Sequence, residues 1–475
     1  MAVIGGGPAG AISARQLRRM GFHTCLIEAR GPLRPVVGEA LPVTTLRLLH
    51  QLGFGSAVAE RDALRCDEIV QRWGDGDATA RSTSVVMVDR GRFDPALVDI
   101  AAETGVDVMC PARLRRRDET PEGWDLEVET GAGIVRVAAR FLVDARGRRA
   151  AGSRPLGATT VALCARWRGV ALAEQPQMRI EAADDAWLWG APLADGSLVV
   201  QVFQRTADCT GLSPASREAR YRAILRGAKL FSGCDAGVLV DPVRARDASC
   251  RVGIEPVTRN MIRIGDRCLA MDPLSSQGVQ SAVRSALQGS VVANTILSGG
   301  DREAAVEFYR HATHAIATRH RETSAAFYAE TGSGASPFWH ERVGARRTSA
   351  GIEPGRRTLP SRVRLSPDAH LVDHPAIEGD VVRRRSALIH PRLGEPTAFA
   401  EGIALSGAIT SIEHVYRVPD ILARWGSMMP EATARALLNW LVRHDVLIDD
   451  DSSSTGPVMP TVRPPSASRA SWRPD

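Results

Sequence analysis

A chain of 475 residues is long enough to bury a large core and to divide into two or three units. Its formal net charge of +6 and pI near 9.1 allow an acidic partner, but the basic residues are dispersed arginines with Lys229 the only lysine, so a nucleic-acid stripe is not expected. No apolar run approaches the ~20 residues of a membrane span, and the first strand pattern starts at Met1, which leaves no room for a signal peptide; the expectation is a cytoplasmic protein with no membrane contact.

In chain order, "MAVIGGGPAGAISARQLRRMGFHTCLIEAR" reads as a buried strand, a glycine turn, an amphipathic helix and a second strand ending at Glu28. Gly5 permits the tight turn, Gly7 lets backbone approach a pyrophosphate, and Gly10 lets helix and strand pack closely. Pro8 and Ala9 open the helix, whose exposed amides would hold the phosphate anion. Glu28 is placed to accept ribose hydroxyls and disfavours a 2′-phosphate, leaving FAD or NAD. Next, "VVGEALPVTTLRLLHQLG" puts Glu39 in a glycine-proline turn before a helix, and "DRGRFDPALVDIAAETGVDV" starts a helix near Phe93. "ARFLVDARGRRA" ends a strand at Asp144 with a turn at Gly147.

The middle stretch "DDAWLWGAPLADGSLVVQVF" alternates as strands, with Trp187 and Trp189 on one face. They are candidate pocket residues that would exclude water from a reactive centre, or core aromatics. "NMIRIGDRCLAMDPLSSQGVQSAVRSALQGSVVANTIL" then reads as a strand, a Gly265-Asp266 turn, a proline turn and a helix beginning around Gly278. Nucleotide-type turns spread from Gly5 to Gly278 suit one extended cofactor, FAD. Asp266 can bind ribitol hydroxyls, and the amides of Gly278 and Val279 can face the electron-rich O2 edge of reduced flavin.

Residues 301–340 read as an amphipathic helical stretch containing Phe308, Tyr309, Phe327 and Tyr328. From Ser349 to Arg385 proline and arginine interrupt any long element, giving a linker or irregular wrap. "PEATARALLNWLVRHDVLIDD" gives a helix with Leu437, Leu438, Leu441 and Val442 on one stripe, then a short strand. The eight cysteines contain no CxxC pair and read as reduced, core-filling thiols, with no metal site. The expected fold class is α/β: a Rossmann-like FAD-binding domain (1–165, with a substrate-side segment near 60–90, and 252–300), an inserted β-sheet substrate domain (166–251), a helical segment and linker (301–370), a small C-terminal α/β or winged-helix-like domain for docking or capping (371–448), and a mobile tail (449–475).

The ordered pieces "GGGPAG", "GEALP", "RGRFD", "VDARG" and "IGDRCLAMDPLSSQG" resemble the FAD-dependent monooxygenases of the aromatic-hydroxylase type and their relatives, the flavin-dependent tryptophan halogenases. The resemblance implies that Gly5, Gly7, Gly10 and Glu28 hold the ADP half of FAD, that Arg90 reaches the ribityl-pyrophosphate region, and that Asp266 binds ribitol. It places Glu39, Pro273, Gly278 and Val279 near the isoalloxazine. The WxWxxP run from Trp187 is similar to the tryptophan-rich segment of the halogenases, but their lysine has no counterpart, and Ser275 stands where they carry a glutamate. The resemblance therefore implies a monooxygenase that hydroxylates an aromatic side chain through a flavin C4a-hydroperoxide. Within the family the pattern is similar to the enzymes that hydroxylate a tryptophan of the quinohemoprotein amine dehydrogenase small subunit during tryptophylquinone formation. The implied partners are an aromatic peptide or small protein substrate and a flavin reductase, although NADH or NADPH could supply the electrons. Hydroxylation or halogenation of a small aromatic metabolite, and an NAD-dependent dehydrogenase, are the alternatives. His50, His311, His314 and His320 are candidate proton handlers that the sequence alone cannot bring to the site.

Overall fold

The computed structural model describes residues 1–29, 38–74, 76–148, 152–171, 173–331, 336–343, 359–412 and 417–450. The tail from residue 451 and the linker residues 344–358 lie outside these. The chain divides into two compact units, 1–298 with 309–346, and 299–308 with 347–475.

In the first unit, five short parallel strands run in the order Met261–Arg263, Leu142–Asp144, Ala2–Ile4, Cys25–Ile27, Asp107–Met109. The strands Ala2–Ile4, Cys25–Ile27 and Leu142–Asp144 are buried at every position, as a parallel sheet covered on both faces requires. On one face the helix Pro8–Arg19 packs with Arg90–Glu103 and Gly278–Leu297. On the other, Trp124, Leu126 and Val128 of the antiparallel strands Ala112–Thr120, Gly123–Thr130 and Gly133–Ala139 meet Ala2, Ile4, Cys25 and Ile27. The chain leaves Ala2–Ile4 toward one sheet edge and later returns on its other side. A crevice therefore opens at the carboxyl end of that strand, at Gly5.

The second sheet of this unit has nine strands. Thr160–Arg168, Leu198–Arg205, Ala186–Pro192 and Gln177–Ala183 form its antiparallel centre, and Gln177–Ala183 pairs in parallel with Ala63–Arg72. Strict alternation separates its faces. Trp187, Trp189, Val199 and Phe203 enter one core, covered by Tyr328, Phe338 and Trp339. Ala186, Leu188, Val200 and Val202 enter the other, covered by Tyr221 and Leu225 of the helix Pro214–Gly227. All eight cysteines are free thiols, and five are buried.

Three local expectations are corrected. "GEALP" is not a turn but a strand, Gly38–Pro42, hydrogen-bonded along Thr79–Asp89 with Glu39 opposite Val88. Its place at the sheet edge tolerates the closing proline. The helix expected near Phe93 begins at Arg90, because the Asp89 carboxylate caps the Gly91 N–H at 2.7 Å and Pro95 is carried inside the helix. The stretch read as irregular up to Arg385 contains a long hairpin, His370–Glu378 with Val381–Ile389, turning at Gly379 with φ +59°. Its Pro375 is accommodated because a two-stranded ribbon leaves outward positions that need no N–H.

That hairpin belongs to the second unit, an α/β fold. Strands Val363–Leu365 and Leu447–Asp449 pair, and the helices Leu405–Ser411, Val418–Gly426 and Glu431–Arg443 enclose Trp425, Leu437, Leu438 and Leu441. The Trp425 indole N–H donates to the Ala408 carbonyl at 3.1 Å.

Candidate functional site

At the first turn, Gly5 has φ +106°, and a Cβ there would stand 2.6 Å from the Ala145 carbonyl oxygen. A Cβ on Gly10 would stand 1.8 Å from the Gly5 carbonyl oxygen. The motif thus presses backbone against backbone. Gly7 is the contrast: a Cβ there meets nothing within 4 Å, and the helix opening at Pro8 has no side-chain cap. Open space above an uncapped helix start fits a phosphate group. Ala9 is buried and touches the second loop, since a Cβ on Gly265 would lie 2.7 Å from the Ala9 Cβ. Glu28, 8% exposed, uses Oε2 to accept the Gly6 N–H at 2.5 Å, so one oxygen of the expected ribose ligand also braces the turn.

The other end is assembled from distant segments. Asp266, in the turn Gly265–Arg267, is held by the Arg148 Nε at 2.9 Å, while Arg148 also donates to the Ser249 and Met271 carbonyls at 3.2 and 3.0 Å. Pro273 opens a short turn whose Asp272 caps Leu274 N at 3.0 Å. After Ser276 at φ +50°, the helix Gly278–Leu297 starts without a side-chain cap. Gly278 faces open space and Val279 is buried. A second uncapped helix start therefore accompanies the first, as a cofactor with a pyrophosphate and an electron-rich ring edge needs.

Arg90 is the first residue of the helix Arg90–Glu103, where it forks onto Asp94 at 2.6 and 3.0 Å and reaches Glu39 at 3.0 Å. Withdrawal from water raises the Glu39 pKa; Arg90 opposes this, while Asp94 and Asp266 add to it. Asp94 and Arg148 were not singled out in the sequence. Asp94 stands four residues after Arg90 on a helix, the one spacing that could have signalled the pair.

Trp187 is 1% exposed and stacks on Phe203, with ring centroids 3.8 Å apart at 9°. Its indole N–H is buried and falls short of hydrogen-bond geometry with any partner among the described residues. Trp189 shares the face. Sequence reading did not name Trp73, Phe338 or Trp339, which complete this aromatic cluster. The indole N–H groups of Trp73 and Trp339 donate to the Phe327 carbonyl at 2.9 Å and the Asp184 carbonyl at 2.9 Å. Leu274 packs against the same cluster and so joins the Asp272 turn to the aromatic wall. Of the four histidines considered, His50, His311 and His314 are exposed, and His320 alone is buried, against Asp272.

Residues 1–226 match the family model of an FAD binding domain. A tryptophan 2-halogenase of Chondromyces crocatus is 26% identical over 374 residues, 72% of this chain and 71% of that protein. Among solved structures, the peptidyl tryptophan dihydroxylase QhpG, essential for tryptophylquinone cofactor biogenesis, superposes with TM-score 0.72 at 25% identity, covering 93% of this chain and 98% of its own. The flavin-dependent halogenase CmlS shares the fold with TM-score 0.76 at 19% identity, covering 94% and 95%. Most of the other similar proteins are halogenases too. Among the described residues no helix is long and apolar enough to cross a membrane. With two uncapped helix starts that leave open space at Gly7 and Gly278, and an FAD binding domain over its first 226 residues, this chain binds FAD and is an FAD-dependent oxidoreductase.

Proposed function

We propose that the enzyme is an oxygenase that hydroxylates an aromatic side chain, tryptophan first, carried by a peptide or small protein. The observation that carries this reading is the place of the only lysine. Lys229 lies between Ala228 and Leu230, which pack in the core on one face of the nine-stranded sheet, whereas Trp187, Trp189 and their aromatic partners lie on the other. The halogenases that the sequence resembles direct hypohalous acid with a lysine; an oxygenase needs none. Bound and reduced, FAD supplies the activation of molecular oxygen. The amides that follow Pro8 in the first turn of its helix, and those at Gly278, would hold its anionic parts, with Glu28 on the ribose and Asp266 on the ribitol. Trp73, Trp187, Trp339 and Tyr328 exclude water beside the Asp272 turn, where an aromatic ring would be oriented.

A second reading, halogenation or hydroxylation of a small aromatic metabolite, is favoured by the names of most relatives. The halogenase CmlS also spans this chain as fully as the dihydroxylase does, so the C-terminal unit alone does not separate the two. Mass spectrometry decides between them after incubation of the enzyme with reduced FAD, oxygen, chloride or bromide, and either a tryptophan-containing peptide or free tryptophan. One or two oxygen atoms added to the peptide are expected; halogen incorporation would sink the oxygenase reading. Efficient turnover of free tryptophan, undiminished by deleting residues 359–450, would remove the peptide from the proposal and leave the oxygenase. The proposed electron source is an external flavin reductase, an assignment that rapid reduction by NADH or NADPH alone in stopped flow would end.

A further inference from the structure

The Asp272 turn is held from outside its own segment by a set of groups that cofactor contact does not account for. His320 Nε2 accepts the Asp272 N–H at 2.7 Å, and the Tyr328 hydroxyl donates to the two Asp272 carboxylate oxygens at 3.1 and 3.0 Å. Both side chains are buried, 5% and 2% exposed, and they stand roughly two turns apart on the helix Arg302–Ala329. Arg148 holds the preceding Met271 carbonyl at 3.0 Å. Asp272 in turn caps Leu274 N with its carboxylate and accepts the Ser275 hydroxyl at 3.1 Å with its carbonyl. A backbone N–H in such a turn has no ladder or helix partner, so the histidine ring supplies the acceptor it must have.

We propose that His320 and Tyr328 are positioning residues of the cofactor pocket: they fix Asp272 by its N–H and its carboxylate, and through it the entry into the helix whose Gly278 and Val279 amides face the flavin. The proposal rests on the placing of that helix at the FAD ring. It carries a condition on protonation. A ring nitrogen accepts only when it bears no proton, so the contact requires neutral imidazole with its proton on Nδ1. Burial lowers the His320 pKa, Arg148 works in the same direction, and Asp272 opposes them. Cys250, pushed up to about 11 by burial, faces the same Asp272, Arg148 and Arg321. Tyr328, raised by its own burial, stays a donor. Because the folded pKa lies below the unfolded one, the contribution of the neutral ring is fully present above about pH 6.5 and is lost as pH falls through the folded value. Protonation then sets donor against donor at the Asp272 N–H.

Release of FAD from the full chain, followed by flavin fluorescence from about pH 8 to about pH 5, tests this with the wild type, His320→Gln and Tyr328→Phe. Glutamine offers a carboxamide oxygen near the position of Nε2 and does not titrate. The wild type should lose affinity on the order of tenfold across that range, the scale of one buried hydrogen bond, while H320Q stays flat. Y328F should bind several-fold more weakly at every pH and keep the acid limb; unchanged affinity would overturn the role of Tyr328. Parallel acid limbs in wild type and H320Q, or a wild type indifferent to pH, would overturn that of His320. A chain that takes up no FAD at any pH would fail on the cofactor itself, whereas bound FAD with identical limbs fails on His320 alone. His320→Leu should show the weak, acid-limit affinity throughout; if it does not fold, the comparison of wild type with H320Q still decides.

Discussion

At the dinucleotide turn a Cβ on Gly10 would stand 1.8 Å from the Gly5 carbonyl oxygen, whereas at the other end of the cofactor site a Cβ on Gly278 would meet nothing within 4 Å. The first end is shaped mainly by backbone packed against backbone within one strand-turn-helix-strand segment, with Ala145 and Arg146 backbone and the Val98 side chain brought in from elsewhere. The second is shaped by side chains: Arg148, His320 and Tyr328 arrive from distant segments to hold Met271 and Asp272. Backbone packing tolerates no added atom. Side-chain bracing leaves room, and it can be weakened by degrees.

The largest effect that would test this contrast is Gly10→Val. Its side chain would meet backbone that has nowhere to move, so about 3 kcal/mol or more of stability and the bound FAD should be lost. Thermal melts and flavin content measure both, and a valine variant that retains them would erase the difference between the two ends. Next comes Asp144→Asn, at the edge of the first end. Asp144 is 1% exposed and accepts from Arg146 at 2.8 Å and from Arg267 at 3.0 Å. Losing its charge leaves these two guanidinium groups and that of Arg117, 3.9 Å from the carboxylate, facing one another, at a cost of about 3 kcal/mol. Burial raises the pKa of this carboxyl, and the two arginines overcome that and bring it down to about 2. Its contribution is therefore present above about pH 4 and lost as pH falls through the folded value, which urea titrations of wild type and variant across that window should resolve.

Glu28→Ala should cost less, about 1.5–3 kcal/mol of FAD affinity and turn stability together, because it removes one charge-assisted bond to the Gly6 N–H and the ribose contact. Isothermal titration with FAD reads the first part. Gly278→Ala should be the mildest for the fold, stabilising the helix by up to about 1 kcal/mol. A melting temperature that falls would show the second end to be as tightly packed as the first.

The glycine turn, its helix, the strand ending at Glu28, the Asp266 turn and the helix from Gly278 were all legible in the sequence. Each is decided within a few neighbouring residues by steric limits that only glycine, proline or an alternating apolar run satisfies. The stripe of Leu437, Leu438, Leu441 and Val442 was legible for the same reason, and all four are buried. The "GEALP" segment was not, since a glycine and a proline around Glu39 spell a turn locally. It becomes a strand only because Thr79–Asp89 offers it a free edge. Nor could spacing select His320 from four histidines, pair Arg148 with Asp266, or bring Trp73 and Trp339 to Trp187. Those contacts join residues separated by tens to hundreds of positions, and no local rule encodes them. Tertiary structure decides them, because a buried N–H, guanidinium or indole takes the partner that packing brings within reach.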